Sequence, residues 1–209
     1  TLLKDDFDKY TSIEDLKAAG WQVNTKGEAA PALTFGKSVG LPADTTIYKP
    51  FDPIAVNYLP GGKSPGKNAK LIVTFDGSIG SGSGASQAYF KLGSSETSKS
   101  AVSIGRRGNG SIKYADSISS KSEDLVVAPA LKGTKVKMVI KLTDENGEYS
   151  DVGHTKVDIY VNNMDTPIEG GIDKKMVDRF TKIADRFSVG GGSPSELDNL
   201  EVSLVVDAK

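Results

Sequence analysis

The strongest constraint on this chain is an alternation of period two. In TKVKMVIKL, Val136, Met138, Ile140 and Leu142 fall on one side and Lys135, Lys137 and Lys141 on the other. Val157, Ile159 and Val161 alternate in the same way with Lys156, Asp158 and Tyr160, and Leu200, Val202, Leu204 and Val206 with Glu201 and Ser203. Successive side chains of a strand point to opposite faces, so these stretches suit strands with one face in a core and one in water. Asn146-Gly147 lies between the first two and suits the positive φ of a tight turn, so Lys135 to Asn162 reads as a long antiparallel hairpin. Shorter strands are expected at Ala32–Phe35, Thr46–Phe51, Ala69–Phe75, Gln87–Leu92, Ala101–Arg106 and Ser111–Tyr114, separated by Gly, Pro, Ser and Asn clusters. About nine to twelve strands predict an all-β chain folded as a two-sheet antiparallel β-sandwich, or jelly roll.

Two stretches read as short peripheral helices. Ser12 suits an N-cap, with Asp15 three residues on and Gly20 as a stop. In IDKKMVDRFTKIADRF, Ile172, Met176, Phe180, Ile183 and Phe187 share one helical stripe opposite the charges, which predicts a helix packed against an edge.

The 209 residues suit one sandwich domain spanning 1–209. A net charge of -1 argues against a nucleic-acid partner. No apolar run is long enough for a membrane-spanning helix, so no membrane insertion is expected. The start at Thr1, without Met, reads as a mature or excised piece of a larger protein. The chain has no cysteine, which excludes disulfides, thiolate metal sites and Cys nucleophiles. Its lone histidine, His154, ends the predicted 143–154 turn, with no motif to orient it as a base.

Several motifs invite a site. Gly62-Lys63-Ser64 matches the tail of a phosphate-binding loop, but Asn57 stands where its first glycine belongs, and Pro65-Gly66 oppose the following helix. Gly77 to Ser86 is rich in Gly and Ser and reads as a loop between strands, with a mobile rim over a binding face as the alternative. In GRRGNGSIKYAD, the Gly108-Asn109-Gly110 turn sets Arg106, Arg107, Lys113, Tyr114 and Asp116 on neighbouring strands. Arg forks bind carboxylates, and an adjacent aromatic can stack on a sugar ring. The same residues also suit a plain solvated hairpin. Trp21 starts a strand-like WQV and reads as core rather than as a ligand platform. Tyr48, Tyr89, Phe90 and Tyr160 are the other aromatics on strands, and Tyr160 falls on the polar side of its own. Acidic pairs are plentiful, but none has the tight strand spacing of a retaining glucanase. Asp6 and Asp198 are hard oxygen ligands of the kind calcium takes.

DDFDKYTS and AAGWQV within residues 5–23, with FSVGGGSPSELDNLEVSLVV at 187–206, resemble the opening and closing of a concanavalin A-like, laminin-G-type jelly roll. The 134–163 hairpin resembles the penultimate unit of the same superfamily. The resemblance implies two curved, packed sheets with first and last strands side by side. Many members are carbohydrate-binding modules of bacterial glycan-degrading enzymes, and those of family 66 are among the modules this chain resembles. The resemblance also implies structural Ca2+, with Asp6 and Asp198 as the matching carboxylates. It carries no sugar site onto particular residues. Asp198-Asn199 is then expected to be the turn before the closing strand, within reach of Asp5-Asp6, with hydrogen bonding and calcium ligation both open as its duty.

The expectation is a non-catalytic module, secreted or on the cell surface of a bacterium. It would hold a polysaccharide or oligosaccharide, acidic or hydroxyl-dense, through Arg106, Arg107, Tyr114, Tyr89 and Tyr160, with catalytic domains joined to it. The alternatives are a polysaccharide lyase or glycoside hydrolase on the same fold, and an adhesive domain that binds protein.

Overall fold

The computed structural model describes the backbone of residues 1–26, 32–55, 65–80, 87–95, 100–107, 111–115, 122–127, 131–148, 154–175 and 183–207. Its strands are β1 (Leu3–Asp5), β2 (Gln22–Thr25), β3 (Val39–Leu41), β4 (Thr45–Ala55), β5 (Lys70–Ile79), β6 (Gln87–Gly93) and β7 (Ser100–Arg107). They continue with β8 (Ser111–Ala115), β9 (Ser122–Val127), β10 (Thr134–Lys141), β11 (His154–Val161), β12 (Glu169–Lys175), β13 (Ile183–Gly191) and β14 (Ser195–Val205). The first sheet runs β1-β14-β5-β10-β11-β12, with β3 also on β14; the second runs β2-β4-β13-β6-β7-β8-β9. The fold is the expected all-β sandwich, with seven strands in each sheet among the described residues.

Alternation explains the packing. Burial alternates along the whole of β5. In the β10–β11 hairpin, Val136 faces Val161, Met138 faces Ile159 and Ile140 faces Val157. Phe75 of the first sheet stacks on Phe90 of the second at 4.5 Å and meets Phe187 at 5.8 Å. These rings join the two inner faces, and burying each contributes roughly 1.5–3 kcal/mol. Gly77 makes room for them, since a Cβ there would lie 2.6 Å from Phe90 Cζ.

The first and last strands are neighbours, with Leu3 opposite Val202 and Asp5 opposite Leu200. Their seam is organised by Asp5. Its Oδ2 accepts from Trp21 Nε1 at 2.8 Å and Tyr10 Oη at 2.6 Å, and its Oδ1 accepts from the Phe7 amide at 2.9 Å. Trp21 is fully buried, as its sequence position predicts, and packs on Phe7 at 5.3 Å. Ser12 caps α1 (Ile13–Ala18), accepting from the Asp15 amide at 3.2 Å.

Three expectations are corrected. The described parts of the stretch 172–187 are strand and not helix, since they lie in β12 and β13. The register shifts between Ala184 and Arg186, where two steps along β13 oppose four along β4; Ala184 and Phe187, three apart, are both buried, and a spacing of three mimics a helical stripe. Asp198-Asn199 is not a turn before the last strand, because β14 runs through it. The pair forms a bulge in which three steps along β14 oppose two along β5, and Asn199 takes a φ of 47°. Ala32–Phe35 forms no strand; Thr34 makes one isolated bridge to Gly40.

Candidate functional site

The outward face of the second sheet carries the most suggestive set of side chains. Gln22, Tyr48, Ser188, Lys91 and Ser103 follow one another across β2, β4, β13, β6 and β7 as one row. The next row is Asn24, Thr46, Gly190, Tyr89 and Gly105. On the other side of the Tyr48 row, Arg186 lies between Pro50 and Gly93. Large side chains at Tyr48, Arg186, Lys91 and Tyr89 therefore stand around small ones at Ser188, Gly190 and Gly93. Two strand spacings and two residues separate Tyr48 from Tyr89, or about 12 Å.

Each ring has a cation beside it. The Arg186 guanidinium lies 4.5 Å from the Tyr48 ring centroid, and Lys91 Nζ lies 5.3 Å from that of Tyr89. The Tyr89 ring leans across Gly105, where a Cβ would come within 2.3 Å of its Cδ1. Burial lowers the Lys91 ammonium below the usual lysine range. Arg186 Nε is buried and 3.6 Å from Asp185 Oδ1, an ion-pair distance too long for a hydrogen bond. Asp185 is itself bonded to Ser95, accepting from its amide at 2.8 Å and from its hydroxyl. Asn24 and Thr46 also line a cleft of about 310 Å³ at this end of the sheet.

The residues singled out in the sequence divide. Tyr89 belongs to this face. Arg106 and Arg107 lie in β7 and Tyr114 in β8, and their side chains are outside the described residues. By register, Arg107 pairs with Gln87, whereas Arg106 pairs with Ala88 and Tyr114 with Ile104, both of them core positions. Tyr160 is on β11 of the other sheet, so it looks out from the opposite side of the sandwich. Lys137 Nζ sits 4.0 Å over its ring while donating to the Met164 carbonyl at 2.7 Å. His154 opens β11, again on the sheet away from Tyr89. Phe90 is core.

Asp6 and Asp198 lie at the seam. Asp6 Oδ1 accepts from the Asp8 amide at 3.2 Å, and Asp198 Oδ1 accepts from the Asn199 amide at 2.8 Å. Asn199 Nδ2 donates to Asp76 Oδ2 at 2.8 Å. Burial, followed by the charges of Asp8, Asp76 and Asp6, raises the Asp198 carboxyl above the usual carboxylate range. Among the described residues, no group of three or more His, Cys, Asp or Glu is placed to hold a metal ion. A cleft of about 390 Å³ opens nearby, with Lys4, Lys9 and Lys49 set against Asp5, Asp6 and Glu201. Its opposed charges largely cancel, so it makes a weaker case for a ligand than the outward face.

Sequence reasoning missed Lys91, Ser188 and Arg186 and gave Tyr48 no special weight. Arg186 was assigned to the charged side of a helix. The available signal was the period-two pattern of Tyr89, Lys91 and Gly93 against Ala88, Phe90 and Leu92.

No family model matches the sequence, and no curated protein matches it. Solved structures do match. A glycoside hydrolase of family 43, engineered for both endo-xylanase and exo-arabinofuranosidase activity, aligns with 98% of this chain at TM-score 0.56 and 14% identity. The chain spans 41% of that enzyme's length. An alginate lyase of polysaccharide lyase family 7 aligns over 90% of this chain and 96% of its own, at TM-score 0.54 and 10% identity. The carbohydrate-binding module of family 66 from Bacillus subtilis aligns over 88% and 95%, at TM-score 0.47 and 12% identity. The likeness is one of fold, a two-sheet antiparallel β-sandwich.

Proposed function

We propose that this chain is a non-catalytic carbohydrate-binding module that holds a polysaccharide on the outward face of its second sheet. The observation that carries the reading is the pair of aromatic–cation units, Tyr48 with Arg186 and Tyr89 with Lys91, around a floor of Ser and Gly. Tyrosine faces stack on sugar rings, and nearby polar groups fix orientation. Tyr89 is kept from the sequence reading, and Arg107 joins it by register. Tyr160 is set aside because it serves the opposite face. The reading places the module outside a bacterial cell, joined to catalytic domains. The share of the family 43 hydrolase that it spans suits a part of a larger enzyme.

Affinity electrophoresis through gels containing polysaccharides tests this. Tyr48→Ala and Tyr89→Ala are each expected to weaken retention about tenfold, on the order of 1.4 kcal/mol. Tyr160→Ala is expected to leave it unchanged. If both variants on the second sheet are retained like the parent, the site is wrong.

A lyase on the same face is the second reading, favoured by Lys91, whose depressed basicity suits a general base beside a tyrosine. Release of unsaturated, ultraviolet-absorbing products from a polyuronate would establish it. Calcium at Asp6 and Asp198 remains part of the proposal. A divalent cation would offset the burial and the neighbouring carboxylate charges that raise Asp198, with backbone carbonyls and water completing its shell.

A further inference from the structure

We infer that the glycan is an anionic polysaccharide, with acid groups meeting Lys91 and Arg186 while its sugar rings lie on Tyr89 and Tyr48. This rests on the reading that the face binds a glycan and names the class it takes. Lys91 and Arg186 are on adjacent strands and one row apart, roughly 8 Å between backbones.

Both cations lack a full partner. Lys91 makes no ion pair among the described residues, and its surroundings already disfavour the ammonium. Arg186 Nε has no hydrogen-bond acceptor, because Asp185 stands too far off and is engaged by Ser95. Along β6 and β13, the outward positions Tyr89, Lys91, Gly93, Arg186, Ser188 and Gly190 include no carboxylate. A neutral glycan laid here would strip water from two cations and return no charge to them. An anion compensates both, and an Arg guanidinium presents a planar fork to a carboxylate or sulfate. The face therefore discriminates by leaving the wrong ligand's partner groups unpaired.

The test is affinity electrophoresis of the whole chain against polygalacturonate, alginate, dextran sulfate and dextran. Retention is expected on one or more of the anionic polymers and not on dextran, weakening as salt is raised. Lys91→Gln and Arg186→Gln are each expected to weaken anionic retention about tenfold, the loss of one charge-assisted contact. Lys156→Gln, an exposed charge on the opposite outer face, is expected to change nothing. Melting curves confirm that each variant is folded; Lys91→Gln should melt no lower than the parent, because it removes a desolvated charge. Retention on a polyuronate that disappears when its carboxyls are protonated identifies carboxylate as the bound group. Retention that persists on dextran sulfate in acid identifies sulfate. Equal retention on dextran, or equal losses in Lys156→Gln and Lys91→Gln, overturns the anionic assignment while leaving glycan binding intact. Retention on none of the four overturns both.

Discussion

Replacing Asp5 by alanine should damage the seam more than any other single polar change there. Asp5 is 9% exposed and its carboxylate serves three donors: Trp21 Nε1, Tyr10 Oη and the Phe7 amide. Trp21 and Phe7 are buried, so two of those donors have no water to turn to. Each stranded donor is destabilising by about 1–3 kcal/mol, or about 2–6 kcal/mol for the two. Tyr10 is only partly buried and can rotate to solvent. Removing a buried carboxylate also relieves its desolvation, which moves the expectation to about 3 kcal/mol. For a chain of this size that lowers Tm by about 6–12 °C. Asp5→Asn keeps one acceptor oxygen and should lose about half as much. Tyr10→Phe should cost about 1 kcal/mol. The assay is thermal unfolding followed by circular dichroism and by fluorescence of Trp21, the only tryptophan. If Asp5→Ala stays within about 1 kcal/mol of the parent, or merely matches Tyr10→Phe, Asp5 does not hold the seam.

Burial, then the hydrogen bond to Asp5 and its charge, pushes the Tyr10 phenol far above the usual range, so the folded state keeps its proton where the unfolded chain loses it. That stabilisation is full below the ordinary tyrosine range and fades above it, so Tyr10→Phe should gain on the parent as pH climbs past about 10; denaturant melts across alkaline pH check this. The Asp198 carboxyl is raised, so its ionised form is penalised on folding, and the penalty is absent in acid and complete above its folded titration range. Asp198→Asn should therefore be slightly more stable at neutral pH, by less than about 1 kcal/mol given its partial exposure, and the advantage should vanish in acid. Calcium should raise the Tm of the parent but not of Asp198→Asn; equal melting with and without calcium in the parent removes the metal from the proposal. Phe90→Ala should lose about 3–5 kcal/mol in urea unfolding, because it opens a cavity where the two sheets meet. Gly105→Ala should drive a Cβ into Tyr89 and toward the Ala88 carbonyl, destabilising by about 1–3 kcal/mol and weakening glycan retention.

Much of the fold was legible in the sequence because its cues are local. The alternation from Lys135 to Leu142 and from Val157 to Val161 marks strands and their buried sides without reference to partners. Ser12 announces its cap, and Trp21 announces a core position. The site was less legible. Tyr89 and Tyr160 look alike in sequence, each a tyrosine on the polar side of a strand. Only pairing order sends them to opposite outer faces. Arg186 was hidden by a break in the pairing of β13 with β4, across which the buried Ala184 and Phe187 stand three residues apart instead of two. The same device at Asp198-Asn199 looked like a turn.

The sequence by itself determined the class of fold, the hairpin, the first helix and most of the core, since period and capping depend on neighbours along the chain. The tertiary structure decided which strands lie side by side, that Asp5 rather than Asp198 ties the opening strand to the core, and that Lys91 and Arg186 stand with Tyr89 and Tyr48. Those facts depend on residues far apart in sequence meeting across a sheet, where register and burial, not local pattern, set a side chain's neighbours and charge.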